Sequence, residues 1–489
     1  MDRQIRRLGM VVVVLFVVLF AQVNYIQVFA ASDLVNNQAN SYRRIVQEYD
    51  VDRGPILARD GETVLAMSKQ TGGTLKYVRR YPDGELYGNV TGFYSLVYGT
   101  TDLERTFNDE LSARDESLLP QTLLDQILGK PKRGAAVVTT IDPDLQRVAT
   151  KALGKTPGAL VAMDPGTGDI LAMVSVPSYD PNLLSSHNPK EIRAAWSRYN
   201  RDKQKPLVSK ANQELYPPGS SFKIVTAAAA LENGFGPDSQ WENPPELPLP
   251  QTTHTLSNFG GEHCLGGASS LTLSQALTVS CNVVFGEIGL ELGAKKLTEQ
   301  ARRFGFGQDI PFDVPFEEGR FPDASYFDER APALALSAIG QDEVATNPLQ
   351  MALVASAIAD KGVEMKPRLV SEIRDPEGRT IETFAPEAWG QPISGKTASD
   401  LTKMMVSVVN DGTGTAAQIP GVQVAGKTGT AQHGEGEPPH AWFVSFAPAE
   451  NPQVAVAVVV LNGGDLGSEA TGGQVAAPIA KRVIEAAVK

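Results

Sequence analysis

A long apolar run near the N-terminus restricts what the rest of the chain can become. Residues 8–28 are mainly apolar, and three arginines precede them. An α-helix rises about 1.5 Å per residue, so a run of this length can just cross a hydrocarbon core of about 30 Å. Arginines at one flank stay on the cytoplasmic side of the membrane. The sequence therefore predicts a cytoplasmic N-terminus and places everything after the run outside the cytoplasm.

Two outcomes remain open for this segment. Residues 1–31 form either a cytoplasmic tip with an uncleaved transmembrane anchor, or a signal peptide that is cut at Ala30 or Ala31. The length of the run favours the anchor, which would hold the protein in the cell membrane by a single pass.

The length and the charge of the chain limit its organisation and its partners. With 489 residues, 42% of them hydrophobic, the chain is long enough for two or three cores. Its formal net charge of -12 argues against a polyanionic ligand, because phosphate binding needs a surface rich in lysine and arginine. We expect no nucleic acid partner.

A change of composition near residue 156 predicts a domain boundary. Residues 32–156 are polar and mixed, and no spacing typical of a nucleophile and its base stands out among them. We therefore expect a positioning or docking module there, followed by a second domain at residues 157–489.

The second domain has the pattern of an α+β fold. Apolar segments at 159–163 and 170–176 are joined by DPGTGD, whose turn residues are typical of a β-hairpin. Strands are predicted at 441–447 and 454–461, and a closing helix at 474–488. Strands at both ends with helices between them indicate one sheet completed by distant parts of the chain.

The first candidate for chemistry is Ser220, with Lys223 three residues later. The proline and glycine residues before Ser220 predict that a helix begins close to it, and Asn233-Gly234 predicts its end. A lysine one turn away lies on the same face, and it can accept the hydroxyl proton if burial lowers its pKa. Taken alone, the motif is equally typical of a helix cap followed by a solvated lysine.

The second candidate is the pair Ser280 and Asn282, which follows an apolar segment. In a short loop, residues two apart can point the same way and offer a hydroxyl to relay protons and an amide to hold a peptide bond. An ordinary turn or helix cap is the alternative.

The third candidate is the segment Lys427-Thr428-Gly429-Thr430. On a strand, Lys427 and Gly429 face one way and the two threonines the other, and a glycine lets a substrate backbone approach closely. An edge strand protected by its lysine is the alternative. In one exported domain, however, the three motifs together supply a nucleophile, a proton relay and a strand for substrate binding.

The spacing of the remaining reactive residues predicts neither a metal site nor a cofactor site. The five histidines include no pair at i, i+4, and His254, His263 and Cys264 have a poor spacing for zinc. No glycine-rich phosphate loop opens a helix, so we expect neither a metal nor a cofactor. Outside the cytoplasm Cys264 and Cys281 can form a disulfide, which would stabilise the fold by roughly 3 kcal/mol. Two buried thiols are the alternative.

Longer stretches around these motifs resemble the class B penicillin-binding proteins, and the overall layout is most similar to their actinobacterial PbpA type. The segments that carry the resemblance are YPPGSSFK at 216–223, GTGTA at 412–416, AGKTGTAQ at 425–432, RGPI at 53–56, RDG at 59–61 and AMDP at 162–165. The resemblance covers nearly the whole chain. It implies an elongated N-terminal pedestal or dimerisation domain and a C-terminal transpeptidase domain, in which helices sandwich an antiparallel sheet.

The resemblance also implies a function, the cross-linking of peptidoglycan stem peptides through a serine acyl-enzyme. Ser220 would attack the donor peptide with Lys223 as its base, and Ser280 would pass the proton to the departing D-alanine. The backbone N–H groups of Ser220 and Thr430 would hold the oxyanion. β-Lactams would acylate Ser220 by mimicking the D-alanyl-D-alanine end.

The same resemblance assigns a group of residues to substrate binding. Asn282 would hold an amide of the substrate, and Lys427, Thr428 and Thr430 would meet its carboxylate on the strand that contains Gly429. The partners implied are a donor stem peptide, an acceptor amine, β-lactams and a membrane glycan polymerase.

Two alternative functions stay open at this level. A D,D-carboxypeptidase differs only in its acceptor, and a β-lactam sensor or a scaffold for a cell-wall polymerase needs no catalysis. A second, glycosyltransferase domain is disfavoured, because about 125 residues at 32–156 are few for one. The chain also departs from the family by Ser209-Lys210-Ala211 and by Asp342, where we expect Asn-Arg-Ala and glycine.

Overall fold

The computed structural model describes residues 2–26, 45–115, 118, 129, 131–434 and 436–488. The alternative cleavage site at Ala30 or Ala31 and the predicted start of the N-terminal domain at residue 32 lie outside the described residues. Within them the α-helices are α1 (Asp2–Tyr25), α2 (Gly84–Thr91), α3 (Asp102–Thr106), α4 (Asn108–Leu111), α5 (Pro143–Leu153), α6 (Pro189–Arg201), α7 (Lys223–Glu232), α8 (Leu273–Thr278), α9 (Asn282–Leu292), α10 (Ala294–Arg303), α11 (Ala331–Ala338), α12 (Pro348–Ala359), α13 (Gly395–Asp411) and α14 (Gly472–Ala487).

The strands of the described residues are β1 (Ile56–Leu57), β2 (Val64–Gln70), β3 (Tyr77–Arg80), β4 (Tyr94–Ser95), β5 (Gly99–Thr100), β6 (Ala136–Thr139), β7 (Gly158–Met163), β8 (Ile170–Val176), β9 (Gln240–Glu242), β10 (Glu246–Pro248), β11 (Thr255–Ser257), β12 (Ser270–Thr272), β13 (Glu364–Met365), β14 (Val370–Arg374), β15 (Thr380–Thr383), β16 (Ala388–Gly390), β17 (Ala425–Ala431), β18 (His440–Ala447) and β19 (Val454–Val460).

Helix α1 has the length and apolar character of a membrane span. The most apolar 18-residue window within Arg3–Tyr25 has a mean hydropathy of 2.3, and none of that window is buried against the rest of the described chain. Apolar side chains such as Leu15 and Phe20 are therefore exposed and do not pack against other described residues. The helix is suited to anchor the chain in a membrane.

The first large sheet contains strands from two distant parts of the chain. Its order is β15-β14-β6-β1-β2-β3, with β1 and β6 parallel and the other neighbours antiparallel. The strands β14 and β15 come from residues 370–383, long after the change of composition near residue 156. The boundary between 156 and 157 stays a prediction, since this sheet unites segments from both sides of it.

A buried carboxylate ties the early strands of this sheet to helix α3. Glu104 accepts hydrogen bonds from Arg53 Nε and Arg79 Nε, each at 2.6 Å, and from the Tyr81 hydroxyl at 3.1 Å. Burial alone would raise the pKa of Glu104, but the guanidinium groups of Arg79 and Arg53 hold it below its ordinary value. The two charge-assisted contacts therefore keep a fully buried carboxylate ionised.

The second large sheet forms the centre of the C-terminal part. Its order is β17-β18-β19-β7-β8, and all neighbours are antiparallel. Side chains of β19 alternate between two cores: Val456 and Val458 pack with α5 and α14, whereas Ala455 and Ala457 face the core that contains α12. The predicted antiparallel sheet sandwiched by helices is confirmed, and β17 is its edge strand.

Most predicted elements of this domain are present with small shifts at their ends. The hairpin β7–β8 is confirmed, as are β18, β19 and the closing helix α14. The helix expected from Ser220 begins three residues later: Gly219–Phe222 form a 3-10 turn, and α7 starts at Lys223. Proline before this turn and the positive φ of Gly219 prevent a regular first α-helical turn.

The carboxyl group of Glu364 is buried and takes no part in a hydrogen-bond network of the described residues. Glu364, on β13, is fully buried, and both carboxyl oxygens lack a hydrogen-bond partner within the described part of the chain. Burial raises the pKa of Glu364 to about 8. The folded state therefore favours the protonated acid, and raising the pH above the pKa that this residue has in the unfolded chain costs stability.

We predict that Glu364→Gln removes this loss of stability. The contribution of protonated Glu364 to the free energy of unfolding is fully present below the unfolded pKa of about 4.5. This stability is lost as the pH rises towards 8, by up to about 3 kcal/mol at pH 7. Urea unfolding between pH 5 and pH 8 should show a flatter pH profile for the variant. The control is Glu382→Gln, which replaces an exposed glutamate and should keep the pH profile of the native protein. Equal slopes for Glu364→Gln and the native protein would contradict the prediction.

Candidate active site

The edge strand β17 and the turn that carries Ser220 lie in direct backbone contact. A Cβ atom on Gly219 would lie 2.5 Å from the carbonyl oxygen of Thr430, and one on Gly429 would lie 2.8 Å from that of Pro218. Only glycine permits so close an approach from both sides. Ser220, which is half-buried, therefore stands beside Thr430 at the sheet edge.

The turn is also held from its other sides. Gly219 N donates to the carbonyl of Gly340 at 2.9 Å, and the indole Nε1 of Trp442, on the neighbouring strand β18, donates to the carbonyl of Pro217 at 3.0 Å. These bonds fix the backbone on each side of Ser220. The backbone position of Ser220 is thus set by β18 and by the loop after α11, as well as by its own 3-10 turn.

Lys223 points from the first turn of α7 to the second motif. Its Nζ donates to the carbonyl oxygen of Ser280 and to Asn282 Oδ1, each at 2.7 Å, and lies 3.4 Å from Ser280 Oγ. Its side chain is fully buried. The structure thus brings three of the predicted residues together, although 57 positions separate Lys223 from Ser280.

Lys427 reaches the same hydroxyl from strand β17. Its Nζ donates to Ser280 Oγ at 2.8 Å and to the carbonyl oxygen of Thr428 at 2.9 Å. The hydroxyl of Ser280 therefore lies between two lysine amines. Ser280 itself has a φ of 60°, a left-handed conformation that is uncommon for serine and that aims this side chain into the cluster.

Burial changes the acidity of both amines. Desolvation, with the charge of Lys427 as a second cause, lowers the pKa of Lys223 well below its ordinary value. Desolvation also lowers the pKa of Lys427 to about 7. Two ammonium groups around one hydroxyl repel each other, which favours the neutral form of Lys223.

The predicted binding residues on β17 divide between its two faces. Thr428 Oγ1 lies 2.6 Å from Thr413 Oγ1, on the face opposite to Lys427. On the side of β17 that faces the Ser220 turn, the space beside Gly429 is filled by the chain itself, and the close approach of a substrate backbone to Gly429 stays a prediction. Thr430 is half-buried at the edge.

Asn258 is a structural residue of the site that the sequence did not reveal. Its Oδ1 accepts the N–H groups of Asn282 at 2.8 Å and Val283 at 3.2 Å, so it caps helix α9 from a distant loop. No sequence motif identifies an asparagine that caps a helix far from it in the chain. Cys281 forms a disulfide with Cys264 in the same region, which joins the loop after β11 to the second motif.

Family models match two segments of the chain. The penicillin-binding protein transpeptidase domain matches residues 158–485, and the penicillin-binding protein A dimerisation domain matches residues 53–137.

Whole-length relatives agree with these matches. The chain is 44% identical over 497 residues to the peptidoglycan D,D-transpeptidase PbpA of Mycolicibacterium smegmatis, covering 100% of this chain and 99% of the relative. It is 41% identical to the protein of the same name from Mycobacterium tuberculosis, with the same coverage over 502 residues.

Solved structures of the M. tuberculosis penicillin-binding protein A are similar as well. Its ceftriaxone acyl-enzyme complex has a TM-score of 0.86 at 42% identity, covering 91% of this chain and 100% of that one. Its penicillin G acyl-enzyme complex has a TM-score of 0.84 at 42% identity, covering 90% of this chain and 100% of that one.

We predict that Asn258→Ala loosens the start of α9. Loss of the capping oxygen should cost about 1–2 kcal/mol and raise the hydrogen exchange rates of the Asn282 and Val283 amides. Asn258→Asp keeps an acceptor at the helix N-terminus and is the matched control. Native exchange rates in the alanine variant would show that these amides do not depend on Asn258.

Proposed function

The chain belongs to the class B penicillin-binding proteins, and we propose that its peptidoglycan D,D-transpeptidase reaction runs through Ser220. The observation that carries the proposal is the convergence of Lys223 and Lys427 on Ser280 beside the Ser220 turn. A partly buried hydroxyl between two amines with lowered pKa values is an arrangement for proton transfer.

In the first step, the Ser220 oxygen attacks the carbonyl of the penultimate D-alanine of a donor stem peptide. Lys223, neutral at this stage, takes the hydroxyl proton. Ser280 passes a proton to the amine of the terminal D-alanine as the amide bond breaks. The product is an ester between Ser220 and the shortened stem peptide.

In the second step, the amine of a neighbouring stem peptide attacks this ester. A new amide forms, the acceptor amine loses a proton to the amine cluster, and Ser220 regains its hydroxyl. The cross-link between two strands is the result. A β-lactam opens on Ser220 in the same way as the donor, but its acyl group remains attached.

Substrate binding on the edge of the sheet completes the proposal. An extended donor peptide would add to β17 by backbone hydrogen bonds, the usual mode of recognition at a free sheet edge. Asn282 would hold its amide, and Lys427 with Thr428 and Thr430 would meet its carboxylate beside Gly429. The N–H groups of Ser220 and Thr430, brought together by the close packing at Gly219, would stabilise the oxyanion.

The location and the partners follow from the anchor. We infer that α1 crosses the cell membrane once with its arginines inside, so that the catalytic domain is extracytoplasmic. Residues 32–156 and 157–489 would be the pedestal and transpeptidase domains. The pedestal lies next to the membrane in this arrangement, which suits a contact with a membrane glycan polymerase.

The test is acylation by a fluorescent penicillin followed by turnover of stem peptides. Ser220→Ala should abolish labelling, whereas Ser221→Ala, which removes only a hydrogen bond to the Pro218 carbonyl, should retain it. Labelling that persists in Ser220→Ala would remove Ser220 from the mechanism. With stem peptides and an acceptor amine, release of D-alanine without cross-linking would favour the carboxypeptidase instead.

We also predict a pH effect that depends on Lys427. With a pKa of about 7, Lys427 loses its positive charge as the pH rises through 7, and the second-order rate constant of penicillin acylation should fall on this alkaline side. Lys427→Arg keeps the charge at all these pH values, so the fall should disappear, although the rate should drop at least about tenfold because of geometry. The same alkaline fall in both proteins would contradict this role for Lys427.

A further inference from the structure

Helix α6 and the residues that follow it are positively charged in a protein that is acidic overall. The segment 190–205 contains six lysines or arginines and two acids, which gives it a net charge of +4. Because the whole chain has a net charge of -12, the remaining residues together carry -16. This segment is therefore opposite in sign to the rest of the protein.

The periodicity of α6 separates its charged residues from its buried ones. At about 3.6 residues per turn, Lys190, Arg193 and Arg201 lie on one side of the helix, and all three are exposed. Ile192 and Tyr199 lie on the opposite side, where both are buried. The three exposed cations form what we call the cationic face of α6.

The charges of the cationic face are not neutralised within the described part of the chain. Among the described residues, no carboxylate forms an ion pair with this face. The acid on the same helix, Glu191, instead accepts hydrogen bonds from the Ser186 hydroxyl at 2.8 Å and from Asn188 Nδ2 at 2.9 Å. The three cations are thus available to an anionic partner outside the chain.

Aromatic and apolar side chains accompany the cationic face. Trp196 stacks on Tyr98 with 4.1 Å between the ring centroids, and both residues are half-buried. Leu183, in a turn that packs against α6, is 39% exposed. Tryptophan and tyrosine favour the boundary between lipid headgroups and water, and lysine and arginine favour anionic headgroups. The surface around α6 therefore has the composition of a helix that lies on a membrane.

The start of α6 lies beside the segment that follows the membrane anchor in sequence. The His187 ring packs edge-on against the Tyr49 ring, with 5.2 Å between centroids, and its Nε2 lies 3.0 Å from the Tyr77 carbonyl oxygen. Tyr49 belongs to residues 45–50, the first described residues after α1. The chain that comes from the membrane therefore enters the extracytoplasmic part close to α6.

The charge distribution selects the partner of this face. An anionic membrane surface attracts the cationic face and repels the acidic remainder of the protein. We propose that the cationic face of α6 binds the headgroups of anionic phospholipids. A single anchor helix fixes a protein at one point, so this second contact restricts how the extracytoplasmic part is oriented over the membrane. The inference depends on α1 as the membrane anchor and not on the chemistry of Ser220.

The experiment uses the full chain with α1 inserted in lipid nanodiscs. One set of discs contains phosphatidylcholine, and the other contains equal parts of phosphatidylcholine and phosphatidylglycerol. Ser197→Cys places one reactive thiol on the exposed side of α6, since Cys264 and Cys281 are bridged. Spin-labelled headgroups should quench a fluorophore on this thiol in the anionic discs and much less in the neutral discs. Added salt should reverse the quenching, because it screens the charges.

Charge reversal tests whether the cationic face makes the contact. The reversal variant is Lys190→Glu, Arg193→Glu, Arg201→Glu. In the anionic discs it should lower the ratio of docked to undocked protein at least about tenfold. The matched control reverses three exposed lysines of α10 and α13 and should dock as the native protein does. Its substitutions are Lys295→Glu, Lys296→Glu and Lys403→Glu.

Penicillin labelling checks that the variants are folded. Both triple variants should be labelled at the native rate, because none of the substituted residues belongs to the proposed site. If the reversal variant is labelled poorly, Lys190→Gln, Arg193→Gln, Arg201→Gln takes its place, with the same expected loss of docking.

The outcomes separate this inference from the proposed function. Equal quenching in neutral and anionic discs, or quenching that survives the loss of the three charges, would overturn the role of α6 while penicillin labelling leaves the function intact. Release by soluble glycerol phosphate that exceeds the release by sodium chloride of equal ionic strength would indicate a site for free phosphate and would also overturn it. Absence of penicillin labelling in the native protein would overturn the proposed function itself.

Discussion

Two buried lysine amines that share one serine hydroxyl are the interaction on which the C-terminal part of this protein depends. Lys223 and Lys427 both lie within hydrogen-bonding distance of Ser280 Oγ, and both are fully buried. Two adjacent ammonium groups away from water are unfavourable, so burial and mutual repulsion favour a neutral amine. Such an arrangement persists only if the surrounding backbone restrains both lysine side chains in these positions. The fold around them supplies that restraint.

The restraint comes from close backbone packing rather than from the motifs themselves. Gly219 and Gly429 let the turn of Ser220 lie against the edge strand, and the Gly340 carbonyl holds the turn from behind. Asn258 fixes the start of α9, which carries Asn282. β17 is the last strand in the sheet order, so its outer edge pairs with no other strand of the described residues. The rigidity of the cluster thus comes from the packing of the Ser220 turn against this strand.

Local patterns predicted much of the C-terminal domain. The hairpin β7–β8 followed from its turn residues, and β18, β19 and α14 followed from apolar runs of the right length. The start of α7 was predicted three residues early, because the strained turn before it depends on contacts with β17 and Gly340. The joining of strands from residues 370–383 to the first sheet had no local signal. Glu364 and Asn258 could not be singled out either, since burial and capping through space are properties of the folded chain.

The sequence by itself determined the types of element, the apolar character of residues 8–28 and the candidate residues for acyl transfer chemistry. It did so because hydropathy, turn chemistry and functional-group type are local properties of the chain. Only the tertiary structure decided that Lys223 and Lys427 share Ser280 and that Gly429 accommodates the chain's own turn. Those facts depend on distances between segments far apart in the chain, and such distances are set by how sheets and helices pack.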